Sequence, residues 1–448
     1  MVKRRVIRGA ALVMAILLCT FVLMSCTQKE TTQQTGQTQP TQAEKDKTWE
    51  TKTDTLRVAT VSVGSQLPAN EAFTKATGVK LEWVEMGQDD LHTKMATAFA
   101  AGNMDYDLIW SYAANTAEWA SVGYLEDITD KIDKAIMEDL NPGSFDATVY
   151  KGRFYGLPRF TSVNILWYNK AIFREANLDP ESPPKTWEEF VDAAKKTTYD
   201  SDSDGKIDKY GVVFSFGTPY GATIQWELLL YLNGGKMFDE NDNVTFNDEK
   251  GVAALKMLRE LFDLGVVEPS SLSNPGGWDQ SQVFIQGNTA MSICWSNTYK
   301  FANDPKTSNI VGELGWATIP QLNGRMAAVS GSEGYVITKA SKYKDTALDY
   351  LEFITEEEGQ LLVSKASMFP PVRLSMYESD AVYDYMPAIG AFKEQAKGYS
   401  DRFSAPYGLE VTDALMAEVV NCLKGNIEPQ DALNNAAAKA KEIVKDFK

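Results

Sequence analysis

The stretch of the sequence with the most specific chemistry is Asp200-Ser-Asp202-Ser-Asp204-Gly205-Lys206-Ile207-Asp208. Carboxylates at its first, third, fifth and ninth positions, with a glycine at the sixth for a sharp turn, match the ligand spacing of a calcium loop. The Lys206 carbonyl would supply the seventh-position oxygen. Converging carboxylates repel one another unless a cation is present, which favours a structural calcium ion. Position twelve is Gly211 and not a bidentate glutamate, so the loop departs from an EF-hand, and an Asx-rich solvated turn is the plain alternative. No cofactor for catalysis is expected. His92 is the single histidine, so multi-histidine metal sites are excluded and any histidine-dependent triad has one residue to use. The 10 Trp and 19 Tyr permit a site built from flat rings.

The elements that must position such groups follow from charge and periodicity. The 448 residues carry a formal net charge of −17, a surface that repels phosphate backbones and excludes nucleic acid as a partner. One helix-length apolar run lies at the N-terminus, after Lys3, Arg4, Arg5 and Arg8. Its basic start, short apolar stretch and polar continuation read as a signal peptide over residues 1–25. Residues 26–54 are rich in Thr and Gln and read as a flexible tether. Beyond it, strand-like runs at 55–61, 79–84 and 107–110 alternate with helical spacing at 70–77 and 89–101. That order predicts an α/β protein whose mainly parallel sheets are covered by helices, with ligand-binding loops at the strand C-termini. Thr186 and Glu189 match a capping box. An amphipathic helix is expected at 250–264, and further helices at 344–354, 355–365, 413–424 and 429–447. In the exported body only Cys294 and Cys422 remain, as one disulfide or as two free buried thiols.

Taken in order, several segments resemble the extracellular solute-binding proteins of bacterial ABC importers, in their maltose-binding, sugar-binding branch. They are Tyr106-Asp-Leu-Ile-Trp110, Gly123-Tyr-Leu-Glu-Asp-Ile128, Gly156-Leu-Pro158, Tyr168-Asn-Lys170, Pro184-Lys-Thr-Trp-Glu-Glu-Phe190, Phe284-Ile-Gln-Gly-Asn-Thr-Ala-Met291 and residues 331–337. Leu23-Met24-Ser25-Cys26 also resembles a lipobox, which implies lipidation at Cys26 and anchoring to the outer face of the cell membrane. The resemblance implies a two-lobed periplasmic-binding-protein fold (type II-like) with hinge strands between lobes. The N-terminal lobe is expected at 55–160 and 319–355, and the C-terminal lobe at 161–318 and 356–448. Crossings fall near 161–164 and 316–318 and after about 355. The implied partners are a carbohydrate ligand and ABC transporter permease subunits, for a monomer attached to the membrane only through its lipid.

Matching the sugar-binding pattern, Trp110 stands at a first-lobe strand end where a ring stacks on sugar. Trp295 stands at the second-lobe pocket tryptophan, Tyr220 in a pocket segment, and Tyr407 at a late aromatic. Ser162 replaces a hinge glutamate. Trp278, at the cleft mouth, and Glu333, on hydroxyls or the hinge backbone, are further ligand candidates, as are Ser65 and Gln66 in the first strand-to-helix loop. Trp119, Trp187 and Trp226 sit in helical contexts and read as packing, and His92 reads as an ordinary helix residue. Other readings stand beside the sugar receptor. They are a receptor for a polyamine, peptide or metal chelate, and a secreted glycoside hydrolase, which would need two carboxylates about 5–10 Å apart across the cleft.

Overall fold

The computed structural model describes residues 53–400 and 403–447. The expected signal peptide, nearly all of the expected tether, and Cys26 therefore lie outside the described residues. The chain opens with β1 (Thr55–Thr60), α1 (Leu67–Thr77), β2 (Lys80–Glu85), α2 (Gln88–Ala100), β3 (Leu108–Ser111), α3 (Ala113–Ser121) and β4 (Gly156–Phe160). β1 lies parallel to both β2 and β3. Every residue of β3 and of β4 is buried, as strands are when helices cover both faces of a sheet.

The chain then crosses at residues 161–164 into β5 (Ile165–Asn169), α4 (Trp187–Lys196), β6 (Tyr210–Val213), α5 (Pro219–Leu232), α6 (Glu249–Asp263), α7 (Gly277–Val283), β7 (Thr289–Cys294) and β8 (Leu314–Ala317). These strands form a second sheet in the order β8-β5-β7-β6. The capping box opens α4 as expected, with Glu189 N–H on Thr186 Oγ1 at 3.2 Å and Thr186 N–H on Glu189 Oε2 at 3.3 Å.

The return comes later than the sequence suggests. Ile319, Ala327, Ala328 and Val329 still pack in the second core. The crossing lies just before β9 (Glu333–Ile337), which runs antiparallel between β3 and β4 and completes the first sheet, β2-β1-β3-β9-β4. The two crossings are stitched together, with Gly331 N–H on Ser162 O at 2.8 Å and a bridge between Val163 and Ser330. α8 (Lys344–Thr355) follows, and then α9 (Glu357–Ser367), which belongs to the first lobe and not the second. Its Val363, with Val372 beyond it, enters the first core, and Gln360 Nε2 donates to Arg159 O at 3.0 Å. From Met376 onward side chains feed the second core, to which α10 (Gly408–Leu423) and α11 (Pro429–Phe447) also contribute.

Two separate cores result. Leu56, Phe73, Leu108, Tyr335 and Tyr350 anchor the first, and Trp167, Phe190, Trp226, Leu255 and Met291 the second. Each fully buried apolar side chain of this kind contributes about 1.5–3 kcal/mol, so each lobe carries its own stabilising interior. Trp119, Trp187 and Trp226 are buried packing residues, as their contexts suggest.

Candidate functional site

A cavity of about 520 Å³ is bounded by residues of both lobes. Tyr112 reaches it from the first lobe, one residue past the end of β3, where loops of an α/β sheet meet ligands. Tyr220 reaches it from the second, on the first turn of α5. That helix starts because Thr218 caps it, accepting Gly221 N–H at 3.2 Å, with Pro219 at its first position. The helix holds Tyr220, in the expected pocket segment, at a fixed angle. The two phenol rings meet edge to face, 6.0 Å apart at 88°, a geometry that ring quadrupoles favour. Trp278, on α7 after the Pro275-Gly276-Gly277 turn, lines the same cavity and is 56% exposed.

Trp110 does not line it. Trp110 is 2% exposed within the first core, 5.4 Å from Tyr112, because β3 is buried on both faces; Tyr112 beyond it is also part of that core at 6% exposed but borders the cavity. Trp110 Nε1 donates to Glu333 Oε2 at 2.8 Å, and the buried Arg159 guanidinium bonds the same carboxylate oxygen. Burial opposes the Arg159 charge, but Glu333 and the Tyr335 hydroxyl hold its pKa above the ordinary value. The β9 register slips between Glu333 and Gly334, the kind of bulge that re-aims a side chain. Glu333 is thus bound to its own lobe's Trp110 and Arg159.

Trp295 is 9% exposed and wedged between two glycines. A β-carbon on Gly277 would lie 2.3 Å from its ring, and one on Gly331 2.5 Å from it. The indole therefore lies directly behind the Gly277 stretch of the cavity wall. Tyr407 is elsewhere. It lines a neighbouring cavity of about 590 Å³ with Tyr150, Lys151 and Asp242, and its hydroxyl donates to Asp242 Oδ1 at 2.9 Å. Ser162 is buried in the stitched crossing, its N–H on Ser332 Oγ at 3.1 Å. Gln66 is fully enclosed and Ser65 half-buried on a short turn that packs against α9. Sequence reasoning brought only Tyr220 and Trp278 to this wall. It missed Tyr112, Gln88, Thr223, Glu227, Phe403 and Asp413. For Tyr112 a signal existed, since it is the first residue past a buried strand.

The Asp-rich loop lies apart from the cavity. Carboxylate oxygens of Asp200, Asp202 and Asp204 lie within 4.8 Å of one another. Backbone N–H groups of Gly205, Ser203 and Asp204 bond Asp200 and hold its pKa below the usual carboxylate range. Asp208 instead accepts from Ser201 N–H and Oγ–H at 2.9 and 2.6 Å, and the Lys206 side chain is exposed. Cys294 and Cys422 are free and buried, so no disulfide joins them. His92 Nε2 pairs with Glu118 Oε2 at 2.7 Å within the first lobe.

Two α/β lobes joined by crossing segments, with rings from each meeting over one cavity, define a two-lobed binding protein. The model of the bacterial extracellular solute-binding protein family matches residues 60–361, and the chain belongs to that family. It is similar to a probable amino-acid ABC transporter periplasmic-binding protein of Sinorhizobium fredii, 25% identical over 386 residues, 83% of this chain and 84% of that one. Among solved structures it resembles a solute-binding protein of Agrobacterium radiobacter in complex with ribitol, with a TM-score of 0.75 and 25% identity over 87% of this chain and 98% of the other. It resembles the maltose-bound MalE3 of T. maritima equally, with a TM-score of 0.75 and 25% identity over 87% and 99% of the two chains.

Proposed function

We propose that the protein is the substrate-binding lipoprotein of a bacterial ABC importer, which captures a saccharide or polyol between its lobes and delivers it, unaltered, to a membrane permease. One observation carries the choice of ligand. The cavity wall combines phenol and indole rings with hydroxyl and carboxylate groups, and none of the described residues lining it is Lys or Arg. Flat rings suit the C–H faces of a sugar, and planar polar groups suit its hydroxyls. The ribitol and maltose bound by the two similar structures point the same way. A volume of about 520 Å³ is within the usual range for small-molecule sites, and micromolar capture needs about −8 kcal/mol.

The test is a thermal-shift panel of mono- and oligosaccharides, polyols, amino acids and polyamines, with mass spectrometry of any co-purified ligand. A saccharide or polyol should raise the melting temperature, and a rise with amino acids or polyamines alone would reject the reading. Labelled oligosaccharides should come through incubation uncleaved. Anchoring through Cys26 predicts that Cys26→Ala moves the monomeric protein from the membrane to the soluble fraction. Asp200, Asp202 and Asp204 would hold a calcium ion that stiffens their loop. Calcium added after EDTA treatment should then raise the melting temperature, and an unchanged value would leave a simple turn.

A further inference from the structure

We propose that two buried glutamines, Gln225 and Gln280, neither of which lines the cavity, decide which saccharide it accepts by holding its two second-lobe walls at a fixed distance. The inference rests on the saccharide reading above and adds the residues that set its selectivity. One wall comes from α5, through Tyr220 and Thr223, and the other from the 275–279 turn that opens α7, through Trp278. A helix of seven residues has too little stability of its own to hold a direction in space. The angle of α7 is therefore set by what it bonds to.

Each helix turns a glutamine inward, away from its cavity-facing residue. Gln225 follows Thr223 by two positions and Gln280 follows Trp278 by two, which is about 200° around a helix, and they are 5% and 0% exposed. Gln280 Nε2 lies 3.0 Å from Val213 O on β6 and 3.0 Å from both Ser292 Oγ and Ile293 O on β7. Backbone carbonyls only accept, so the amide nitrogen must face the sheet. The Gln280 oxygen is thereby turned to α5, where Gln225 Nε2 donates to it at 3.1 Å. One amide thus ties α7 to two strands and to α5. Cys294 Sγ, at the end of β7, donates to Gly277 O at 3.1 Å and pins the start of α7 to the same sheet. At the rim, the Thr218 hydroxyl donates to Pro275 O. Thr218 and Gln225 lie about 10 Å apart along α5, and two ties so spaced fix both the distance and the angle between the walls. A methionine at either glutamine has a similar length but makes no tie, and the partner amide is left buried with an unmet group.

Calorimetry on the mature chain tests this with the best ligand of the saccharide and polyol panel and with its nearest epimer, on Gln225→Met, Gln280→Met and the pair. Each single variant should bind the best ligand about tenfold more weakly and lose most of the preference over the epimer. The double variant should be no worse than the weaker single one, because both changes break one bond. Hydrogen exchange adds a readout that needs no ligand. Gln225→Met should speed exchange at 277–283, and Gln280→Met at 219–226, although neither change lies in the segment that responds. If Gln280→Met fails to fold, Gln225→Met, which leaves the bonds to the sheet intact, carries both measurements. A lower urea midpoint with affinity, preference and exchange unchanged would reduce the glutamines to packing and overturn the inference, with the saccharide receptor intact. Additive losses in the double variant would overturn it too. If only an amino acid or polyamine binds, the saccharide reading falls, and the tie stands or falls by the exchange responses.

Discussion

The two lobes share the cavity unequally. The first lends it Gln88, Tyr112 and Ala114, whereas the second supplies the start of α5, the 275–279 turn and one face of α10. Both lobes are rich in rings, yet the first lobe keeps its own inside. Trp110 and Tyr335 are buried where β3 and β9 pair, and the acidic side chain of Glu333 is bonded to Trp110 and Arg159. A strand covered on both faces has no side chain to spare for a ligand, so only the residue past its end can reach out. A helix that begins at the cleft offers a whole face. On the proposed reading the second lobe would carry most of the recognition, and the first would act as a stiff plate that brings one largely buried ring, Tyr112, to the cavity.

The hardest test of that division is Trp295→Ala. The ring lies in the second core behind the cavity wall, so its removal should open a void between Gly277 and Gly331 and cost about 3–5 kcal/mol in urea unfolding. A loss of affinity with stability unchanged would return Trp295 to the ligand. Next comes Glu333→Ala, which strands the enclosed Arg159 guanidinium and should cost about 3 kcal/mol. The double change Arg159→Met with Glu333→Leu should cost much less, because replacing a whole buried pair with apolar groups is often near neutral. If the single and double variants unfold at the same urea concentration, the pair is not what holds this corner.

These expectations also mark how much could be read from the sequence. The alternation of strands and helices at 55–110 and the α4 cap are legible because their signals are local, whereas the strands Gly156–Phe160 and Tyr210–Val213 are not read from the sequence. Nor is the helix over Tyr220, because α5 is buried on nearly every side and so shows no amphipathic stripe against which to read a period. The sequence points to Trp110 and not to Tyr112 as the platform, since a ring at a strand end looks alike in sequence whether it points into the core or past it. The lobe boundaries slipped for a related reason. Residues 319–329 and α9 have ordinary apolar patterns, and nothing local says which of two cores receives Val329 or Val363.

A sharper comparison sets the paired phenols against each other. Tyr220 packs on both cores and faces Tyr112 across the lobes, so Tyr220→Ala should weaken the best ligand by roughly 2 kcal/mol, as a central aromatic anchor does. Tyr112→Ala should cost a similar amount of affinity. If only the second-lobe change mattered, the first lobe would be a plate without even its one ring.

Trp278→Ala should give the smallest and cleanest effect. More than half of the side chain is exposed, its ring meets Phe301 edge to face at 6.3 Å, and it borders the cavity on a turn freed by two glycines. Truncating a ring so placed removes little packing, so unfolding should shift by no more than about 0.5 kcal/mol. Affinity should fall by about 1 kcal/mol, the share of a rim aromatic stacking on a bound sugar. The two numbers together discriminate. A shift in stability without a change in affinity would mean that the indole merely pins the 274–279 loop, and the second lobe would then recognise its guest through α5 and α10 alone.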